Sequence, residues 1–268
     1  MSNALTMTGS APTLSQRNVP GHWVLAQLGK SVLRPGGMEL TRRMLAALTI
    51  MPTDDLVEFA PGLGLTAQLA LKRRPASYTA VERDPAAAAI VSSYLRESTQ
   101  KCVTGSADRT GLPSEMATVV YGEAMLTMQT PQMKRRIVRE ARRLLKRGGR
   151  YAIHEMCLAE DDLDEGFTEE IYQALSRALH VGARPLSLSE WRRLMEAEGF
   201  EVEVEARAPM HLLEPKRFLS DEGLKGTLRF IWNIVRDRES REEVLMMRNV
   251  FRRYQTNLAA VMMICVKR

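Results

Sequence analysis

The chain has 268 residues, of which 45% are hydrophobic and 26% are charged. This composition is that of a folded globular protein and excludes intrinsic disorder. Lysine and arginine number 38 against 32 aspartate and glutamate, for a formal net charge of +6. The excess of positive charge raises the question of an acidic partner, such as nucleic acid, a membrane surface or an anionic substrate.

The sequence gives no sign of export, membrane insertion or a structural metal. No apolar run reaches the roughly 18 residues of a membrane-spanning helix. Residues 1–16 lack the basic and apolar regions of a secretory signal. Cys102, Cys157 and Cys265 are odd in number and widely separated, which argues against a disulfide framework or a zinc knuckle. We therefore expect a cytoplasmic protein without a metal site or a membrane partner.

The order of predicted elements indicates the fold class. Residues 1–18 show no apolar period and are expected to form a flexible tail, ahead of a single domain over residues 19–268. Two helices come first, followed by short strands that alternate with helices. The predicted strands cover 56–60, 78–82, 101–105, 117–121, 150–154, 200–206 and 258–266. This alternation predicts an α/β fold with a mostly parallel seven-stranded sheet and helices on both faces.

A glycine loop follows the first predicted strand and opens a helix. Residues 62–67 read Gly-Leu-Gly-Leu-Thr-Ala and match the G-x-G-x-x-G/A pattern, in which the backbone can approach a ligand at a helix N-terminus. Alone, the pattern also fits a tight turn with no ligand. Glu82 closes the second strand, where a carboxylate would accept both hydroxyls of a ribose. The loop and the acid together predict an adenosine-containing ligand.

Glu58, just before the loop, discriminates between two such ligands. A carboxylate would repel the pyrophosphate of a dinucleotide, whereas it would attract the ammonium and sulfonium groups of S-adenosylmethionine. Glu58 therefore favours S-adenosylmethionine over NAD and disfavours a nicotinamide oxidoreductase.

The segments around these residues resemble the class I S-adenosylmethionine-dependent methyltransferases. Residues 57–64 resemble motif I of that family, and residues 78–82 followed by Arg83 resemble its second motif. Segments 34–37, 105–107, 119–126 and 144–150 extend the resemblance over roughly residues 33–205. Within the family, the chain resembles the large group that includes the ubiquinone and menaquinone biosynthesis methyltransferases. The resemblance implies a Rossmann-like fold, S-adenosylmethionine as cofactor and a small-molecule methyl acceptor.

The resemblance also implies a set of cofactor-binding residues, with two departures from the family pattern. Ala60 stands at the first glycine of motif I, and Ser106 stands where the family has an aspartate for the adenine amino group. Asp108 is close enough in sequence to replace that aspartate. The full set is Gly36, Gly37, Glu58, Ala60, Pro61, Gly62, Gly64, Glu82, Arg83, Ser106, Ala107 and Glu123.

His154 and Glu155 end the fifth predicted strand and are the candidates for catalysis. Methyl transfer from a sulfonium is an in-line displacement, so positioning supplies much of the rate, and a base helps when the acceptor carries a proton. The alternative is structural, with the histidine bonded to a neighbour and the glutamate solvated. The sequence does not specify the acceptor atom.

The basic helix predicted over residues 131–145 accounts for much of the positive charge. It lacks the interleaved aromatic residues or glycines of a nucleic-acid surface, so we expect a solvated outer face and no nucleic-acid partner. An alternative function on the same fold is a non-catalytic regulator or assembly partner that binds an adenosine ligand.

A helical insertion is expected at residues 209–255, before the last strand. Its apolar residues repeat at helical spacing and include Leu224, Leu228, Ile231, Trp232 and Val235. An apolar surface of this size is expected to pack against another surface, either of the same chain or of a second one. We expect the insertion either to roof the acceptor pocket or to form a contact between two copies of the chain.

Overall fold

One sheet runs through the part of the chain that the computed structural model describes, residues 21–30, 34–210 and 215–268. The strands are β1 (Asp55–Phe59), β2 (Ser77–Glu82), β3 (Gln100–Thr104), β4 (Ala117–Glu123), β5 (Leu145–Leu158), β6 (Leu186–Ser187), β7 (Phe200–Pro209) and β8 (Leu258–Lys267). Their order is β3-β2-β1-β4-β5-β8-β7, and β6 pairs with the end of β5. β8 is antiparallel to both β5 and β7, and the other pairs are parallel. The mostly parallel α/β sheet is confirmed, with the two-residue β6 as an extra strand.

Helices cover both faces of the sheet. They are α1 (Gly21–Gln27), α2 (Gly37–Leu48), α3 (Leu65–Leu71), α4 (Pro85–Ser92), α5 (Pro131–Leu144), α6 (Glu165–Leu179), α7 (Leu188–Ala197), α8 (Pro215–Arg236) and α9 (Arg238–Arg253). Apolar residues of α2, α3 and α4 pack on one face and those of α5 and α7 on the other. Successive strand residues therefore point into different cores.

A third cluster of buried side chains, the helical core, joins α1, α6, α8 and α9 to the ends of β5 and β8. Its members include Met156 and Leu158 of β5, Phe230 of α8 and Phe251 of α9. Along the chain, α8 and α9 come after β7 and before β8. This is the position at which the apolar stripes predict a helical insertion. None of the helices in the described ranges is long and apolar enough to cross a membrane.

Local signals set several element boundaries. Asp84 caps α4 by accepting hydrogen bonds from the N–H groups of Ala86 (2.8 Å) and Ala87 (3.0 Å). Ser187 and Glu190 form a reciprocal capping box at α7. The sequence pair Gly148-Gly149 is typical of a helix end, but both residues lie in β5, because α5 ends at Leu144 and the chain enters the strand directly.

The parallel strands β1 to β5 end at one edge of the sheet, which we call the carboxyl edge. In open α/β sheets ligands bind at this edge. The loops after β1, β2, β3 and β4 meet there and carry most of the predicted site. The predicted tail, residues 1–18, lies outside the described residues.

Candidate functional site

The loop after β1 has a left-handed backbone at three positions. The φ angles are 50° at Ala60, 56° at Gly62 and 72° at Gly64. Hydrogen bonds from Ala60 N–H to the Val81 carbonyl (2.9 Å) and from Gly64 N–H to the Pro61 carbonyl (2.8 Å) hold the turn. A Cβ in this conformation costs about 1–2 kcal/mol, so Ala60 is strained where the two glycines are not.

Gly62 and Gly64 lack side chains for different reasons. A Cβ on Gly62 would have no atom within 4 Å, so this backbone faces open space. A Cβ on Gly64 would lie 1.3 Å from the hydroxyl oxygen of Tyr94. Gly64 therefore makes room for a side chain of the same protein, and Gly62 leaves room for a ligand.

Glu82 joins the ends of β1 and β2. Its carboxylate accepts hydrogen bonds from the N–H of Gly62 (3.1 Å) and from the N–H of Asp84 (2.9 Å). Arg83, the next residue, is exposed. Glu82 thus lies directly beside the open backbone of Gly62.

The residues after β3 lie at the outer end of the carboxyl edge. Ser106 is exposed and donates its hydroxyl to Asp108 Oδ1 at 2.5 Å, and Ala107 is half-buried against the core. The hydroxyl and the carboxylate form one polar group. That Asp108 replaces the family aspartate toward the adenine amino group stays a prediction.

Glu58 does not face the open side of the loop. Its side chain is buried, and Oε2 accepts hydrogen bonds from the hydroxyls of Tyr78 (2.5 Å) and Tyr121 (2.8 Å). Burial raises the pKa of Glu58 to about 7, and the two tyrosine bonds oppose that rise. Its assignment to the cofactor ammonium stays a prediction.

Glu123, at the end of β4, is the centre of a buried polar cluster. Its side chain is 8% exposed and accepts hydrogen bonds from Thr41 (2.7 Å), Thr66 and Arg34. The His154 ring lies 2.7 Å from the same carboxylate. Burial opposes ionisation, but the positive charge of Arg34 and the bonds from His154 and Thr66 outweigh it and hold the pKa of Glu123 well below its usual range.

His154 is enclosed by acceptors on both sides. Nδ1 lies 2.7 Å from Glu123 Oε1, and Nε2 lies 2.5 Å from the carbonyl oxygen of Pro35. The side chain has no solvent exposure. Both ring nitrogens therefore lie within hydrogen-bond distance of oxygen atoms of the protein, and neither is exposed to solvent.

Glu155 lies on the opposite face of β5 from His154, because successive strand residues alternate. Its carboxylate accepts from the N–H groups of Met125 (2.9 Å), Leu126 (2.7 Å) and Thr127 (3.0 Å) and from the Thr127 hydroxyl (2.8 Å). Burial raises the pKa of Glu155, against the effect of these bonds. The structure therefore does not bring the two predicted bases together; Glu155 holds the loop after β4.

Gly36 and Gly37 are buried where the chain enters α2. Their φ angles are 69° and 62°. A Cβ on Gly36 would lie 2.8 Å from Leu40 Cδ2 and 2.9 Å from Ala260 Cβ. These glycines bring the segment that contains Arg34 close to the sheet, and Gly36 leaves no open space of the kind found at Gly62.

Several residues of the site are absent from the predicted set. They are Arg34, Thr41 and Thr66 around Glu123, and Tyr78, Tyr94 and Tyr121 around the glycine loop and Glu58. Arg34 and Thr66 lie inside matched segments, so their motif position was the available signal. Among the described residues, no cluster of three or more His, Cys, Asp or Glu side chains is arranged to hold a metal ion.

Comparison with known proteins agrees with this geometry. Residues 57–153 match the model of a methyltransferase domain family. The chain is 30% identical over 235 residues to an uncharacterized protein of Haemophilus influenzae, covering 86% of this chain and 91% of that protein. The family match begins in β1, just before the glycine loop, and ends in β5, one residue before His154.

The chain belongs to the class I S-adenosylmethionine-dependent methyltransferases.

Solved structures share the fold of this methyltransferase at low sequence identity. The MccD protein has a TM-score of 0.70 at 16% identity, over 88% of this chain and 99% of that one. A phosphoethanolamine N-methyltransferase of Haemonchus contortus, solved with S-adenosyl-L-methionine, has a TM-score of 0.66 at 14% identity, over 92% of this chain and 56% of that one. Likeness at this identity shows the fold. The finer resemblance to quinone biosynthesis methyltransferases stays a prediction.

Proposed function

We propose that this methyltransferase transfers the methyl group of S-adenosylmethionine to a small-molecule acceptor in the cytoplasm. The observation that carries the proposal is the open backbone at Gly62, which has no atom within 4 Å of a Cβ position and is bonded to Glu82. A ligand can approach this turn without displacing protein atoms. A carboxylate suited to ribose hydroxyls lies beside it.

The residues at the carboxyl edge fit this cofactor. Glu82 would hold the ribose with its remaining lone pairs, and the bonded pair Ser106 and Asp108 would accept from the adenine amino group. When bound, S-adenosylmethionine would supply a methyl group on a cationic sulfur. A lone pair of the acceptor would attack the methyl carbon in line with its bond to sulfur, and the sulfur would leave as the thioether.

We further propose that the chain accelerates transfer by positioning the acceptor, without His154 or Glu155 as a base. The His154 ring lies between two oxygen atoms of the protein, and Glu155 accepts four hydrogen bonds from it. Both side chains therefore have partners within the protein. Orientation of the two reactants supplies a large part of the rate of a displacement reaction.

Calorimetry on the purified protein tests the cofactor assignment. We expect binding of S-adenosylmethionine and S-adenosylhomocysteine and no binding of NAD. Glu82→Gln should weaken S-adenosylmethionine roughly 10- to 100-fold, because hydrogen bonds to a charged group are lost. Glu97→Gln, an exposed carboxylate distant in sequence from the loop, is the matched control and should bind normally. Tight NAD binding, or unchanged affinity in Glu82→Gln, would contradict the assignment.

A labelled-methyl screen tests the acceptor class. The protein is incubated with S-adenosylmethionine that carries a labelled methyl group and with metabolite, protein and RNA fractions of a cell extract. We expect label in the metabolite fraction alone. Label confined to protein or RNA would contradict a small-molecule acceptor. Cofactor binding with no label in any fraction would favour the non-catalytic regulator instead.

A further inference from the structure

After Gly223, where its backbone is non-helical, α8 packs on the protein with one face. Phe230 is buried in the helical core, and Ile234 packs against the same core. Asn233 donates from its side-chain amide to the carbonyl of Leu28 at 3.0 Å. These three contacts determine which face of α8 points away from the protein.

The outward face of α8 is apolar, and we call it the outer stripe. Its side chains are each more than half exposed: Leu224, Leu228, Ile231, Trp232 and Val235. At 3.6 residues per turn they form a single stripe on the side away from Phe230. A soluble protein rarely leaves a contiguous apolar surface of this kind uncovered unless it is an interaction site. The outer stripe is therefore expected to be an interaction surface.

A row of positive charge follows one flank of the outer stripe. Lys225, Arg229 and Arg236 are exposed and lie on the same side of the helix, because their spacings of four and seven residues are close to whole turns. The guanidinium carbon of Arg236 lies 4.5 Å from the centre of the Trp232 ring. Cationic groups thus border the aromatic side chain directly.

Two acidic residues of α8, just before its non-helical residue Gly223, turn inward. Asp221 accepts a hydrogen bond from the N–H of Met38 at 3.0 Å. Glu222 lies 3.7 Å from Lys30, with both side chains buried. These carboxylates tie α8 to the segment ahead of α2 and do not offset the basic row, so the outward charge of the described part of α8 is positive.

Charge complementarity argues against a second copy of the chain as the occupant. In an antiparallel two-fold pairing of α8, each flank meets the same flank of the other helix, and the basic row would face itself. In a parallel pairing the basic row would face the opposite flank, where Thr227 lies. Neither arrangement offers a carboxylate of α8 to the basic row. The row requires a negatively charged occupant.

We infer that the outer stripe docks on an anionic lipid surface. Aliphatic side chains would enter the acyl boundary, Trp232 would lie at the headgroup level, and the basic row would contact the lipid phosphates. This inference departs from the sequence-based expectation of no membrane partner. That expectation rested on the lack of a spanning segment, whereas a helix that lies in the interface needs no such length.

Co-sedimentation of the full-length protein with lipid vesicles tests the inference. We expect binding to vesicles of phosphatidylcholine and phosphatidylglycerol in equal parts, weakening at high salt, and little binding to pure phosphatidylcholine. The variant Lys225→Gln/Arg236→Gln should bind about 25-fold more weakly, at about fivefold for each charge removed. The variant Trp232→Ser should bind these vesicles roughly tenfold or more weakly than the native protein.

The matched control is Arg135→Gln/Arg136→Gln, which removes two exposed charges from α5 and should bind as the native protein does. Urea midpoints equal to that of the native protein establish that the variants are folded. Point variants are preferable to a deletion of α8 and α9, since both helices contribute to the helical core. Failure of the native protein to bind anionic vesicles would overturn the inference, as would unchanged binding in Lys225→Gln/Arg236→Gln. A stable dimer that Trp232→Ser dissociates would assign the stripe to a second copy.

Discussion

The two halves of the carboxyl edge are built in opposite ways. At the ends of β1 and β2, the backbone of Gly62 faces open space, and Glu82 uses its carboxylate to hold that backbone in place. At the ends of β4 and β5, the side chains of Glu123, His154 and Glu155 are enclosed by protein donors and acceptors. One half leaves space for a ligand, and the other is filled by its own hydrogen bonds.

The contrast between the open half and the filled half separates two kinds of residue. Those of the open half can contact a ligand, whereas those of the filled half stabilise the surrounding protein. A buried charge is stable only with partners, and Glu123 has Arg34 and His154. The same partners leave it no role toward a methyl acceptor in this arrangement. Strain is shared by the two halves, because Ala60 after β1 and Ala124 after β4 both adopt left-handed backbones, with φ of 50° and 51°.

The largest effect is expected at the filled half, from Glu123→Gln. This change leaves Arg34 buried without its counter-charge, which costs about 3–5 kcal/mol of unfolding free energy. Because the pKa of Glu123 is lowered in the folded state, its contribution is present above the ordinary carboxyl pKa and is lost as the pH falls. Urea unfolding at neutral pH measures the change. Glu97→Gln, at an exposed site, should stay near the native value, and equal stability of the two variants would refute the role of the cluster.

The next effect is expected from Gly64→Ala in the open half. A left-handed Cβ costs about 1–2 kcal/mol, and overpacking against Tyr94 adds about 1–3 kcal/mol. Gly62→Ala should lower the unfolding free energy by the left-handed Cβ cost alone. It should weaken the binding of S-adenosylmethionine more strongly than Gly64→Ala does. Urea unfolding and calorimetry on both variants measure the two quantities.

The double variant Gly64→Ala/Tyr94→Ala tests the cause of that difference. Removing the ring removes the collision, so the double variant should be less destabilised than the sum of the two single variants. Strict additivity would show that Tyr94 is not the reason for Gly64.

A pH-dependent effect of about 3 kcal/mol is expected from Glu58, whose pKa is raised by burial to about 7. The folded state holds a proton that the unfolded state loses near pH 4.5, so the stability from this group is complete at acid pH and falls as the pH rises through 7. Glu58→Gln keeps a neutral side chain and should be more stable than the native protein at pH 8 but not at pH 4. Urea unfolding at both pH values measures the difference, and a parallel shift at both would contradict the assigned cause.

The smallest effect is expected from Ser106→Ala, at an exposed site. Loss of its hydrogen bond to Asp108 should change the unfolding free energy by less than about 1 kcal/mol. If this pair accepts from the adenine amino group, Asp108→Ala should weaken S-adenosylmethionine more than Ser106→Ala does. Calorimetry on the two variants decides the order, and the reverse order would assign the contact to the hydroxyl.

Motif residues that depend on local chain geometry were predictable from the sequence. The strand, glycine loop and helix around Gly62 follow from spacing alone, as do the caps at Asp84 and Ser187. The position of Glu82 beside the loop follows from the parallel pairing of β1 and β2. Strand alternation alone also predicts that His154 and Glu155 point to opposite faces.

Other features depend on contacts between residues far apart in sequence. The sequence by itself determined the α/β order of elements, the family and the loop at which a cofactor would bind. Only the tertiary structure decided that Glu58 bonds two tyrosines, that Tyr94 fills the space at Gly64, and that one face of α8 is left uncovered. The physical reason is that hydrogen-bond partners and burial are set by which elements pack together, whereas periodicity and turn chemistry are set by neighbours along the chain.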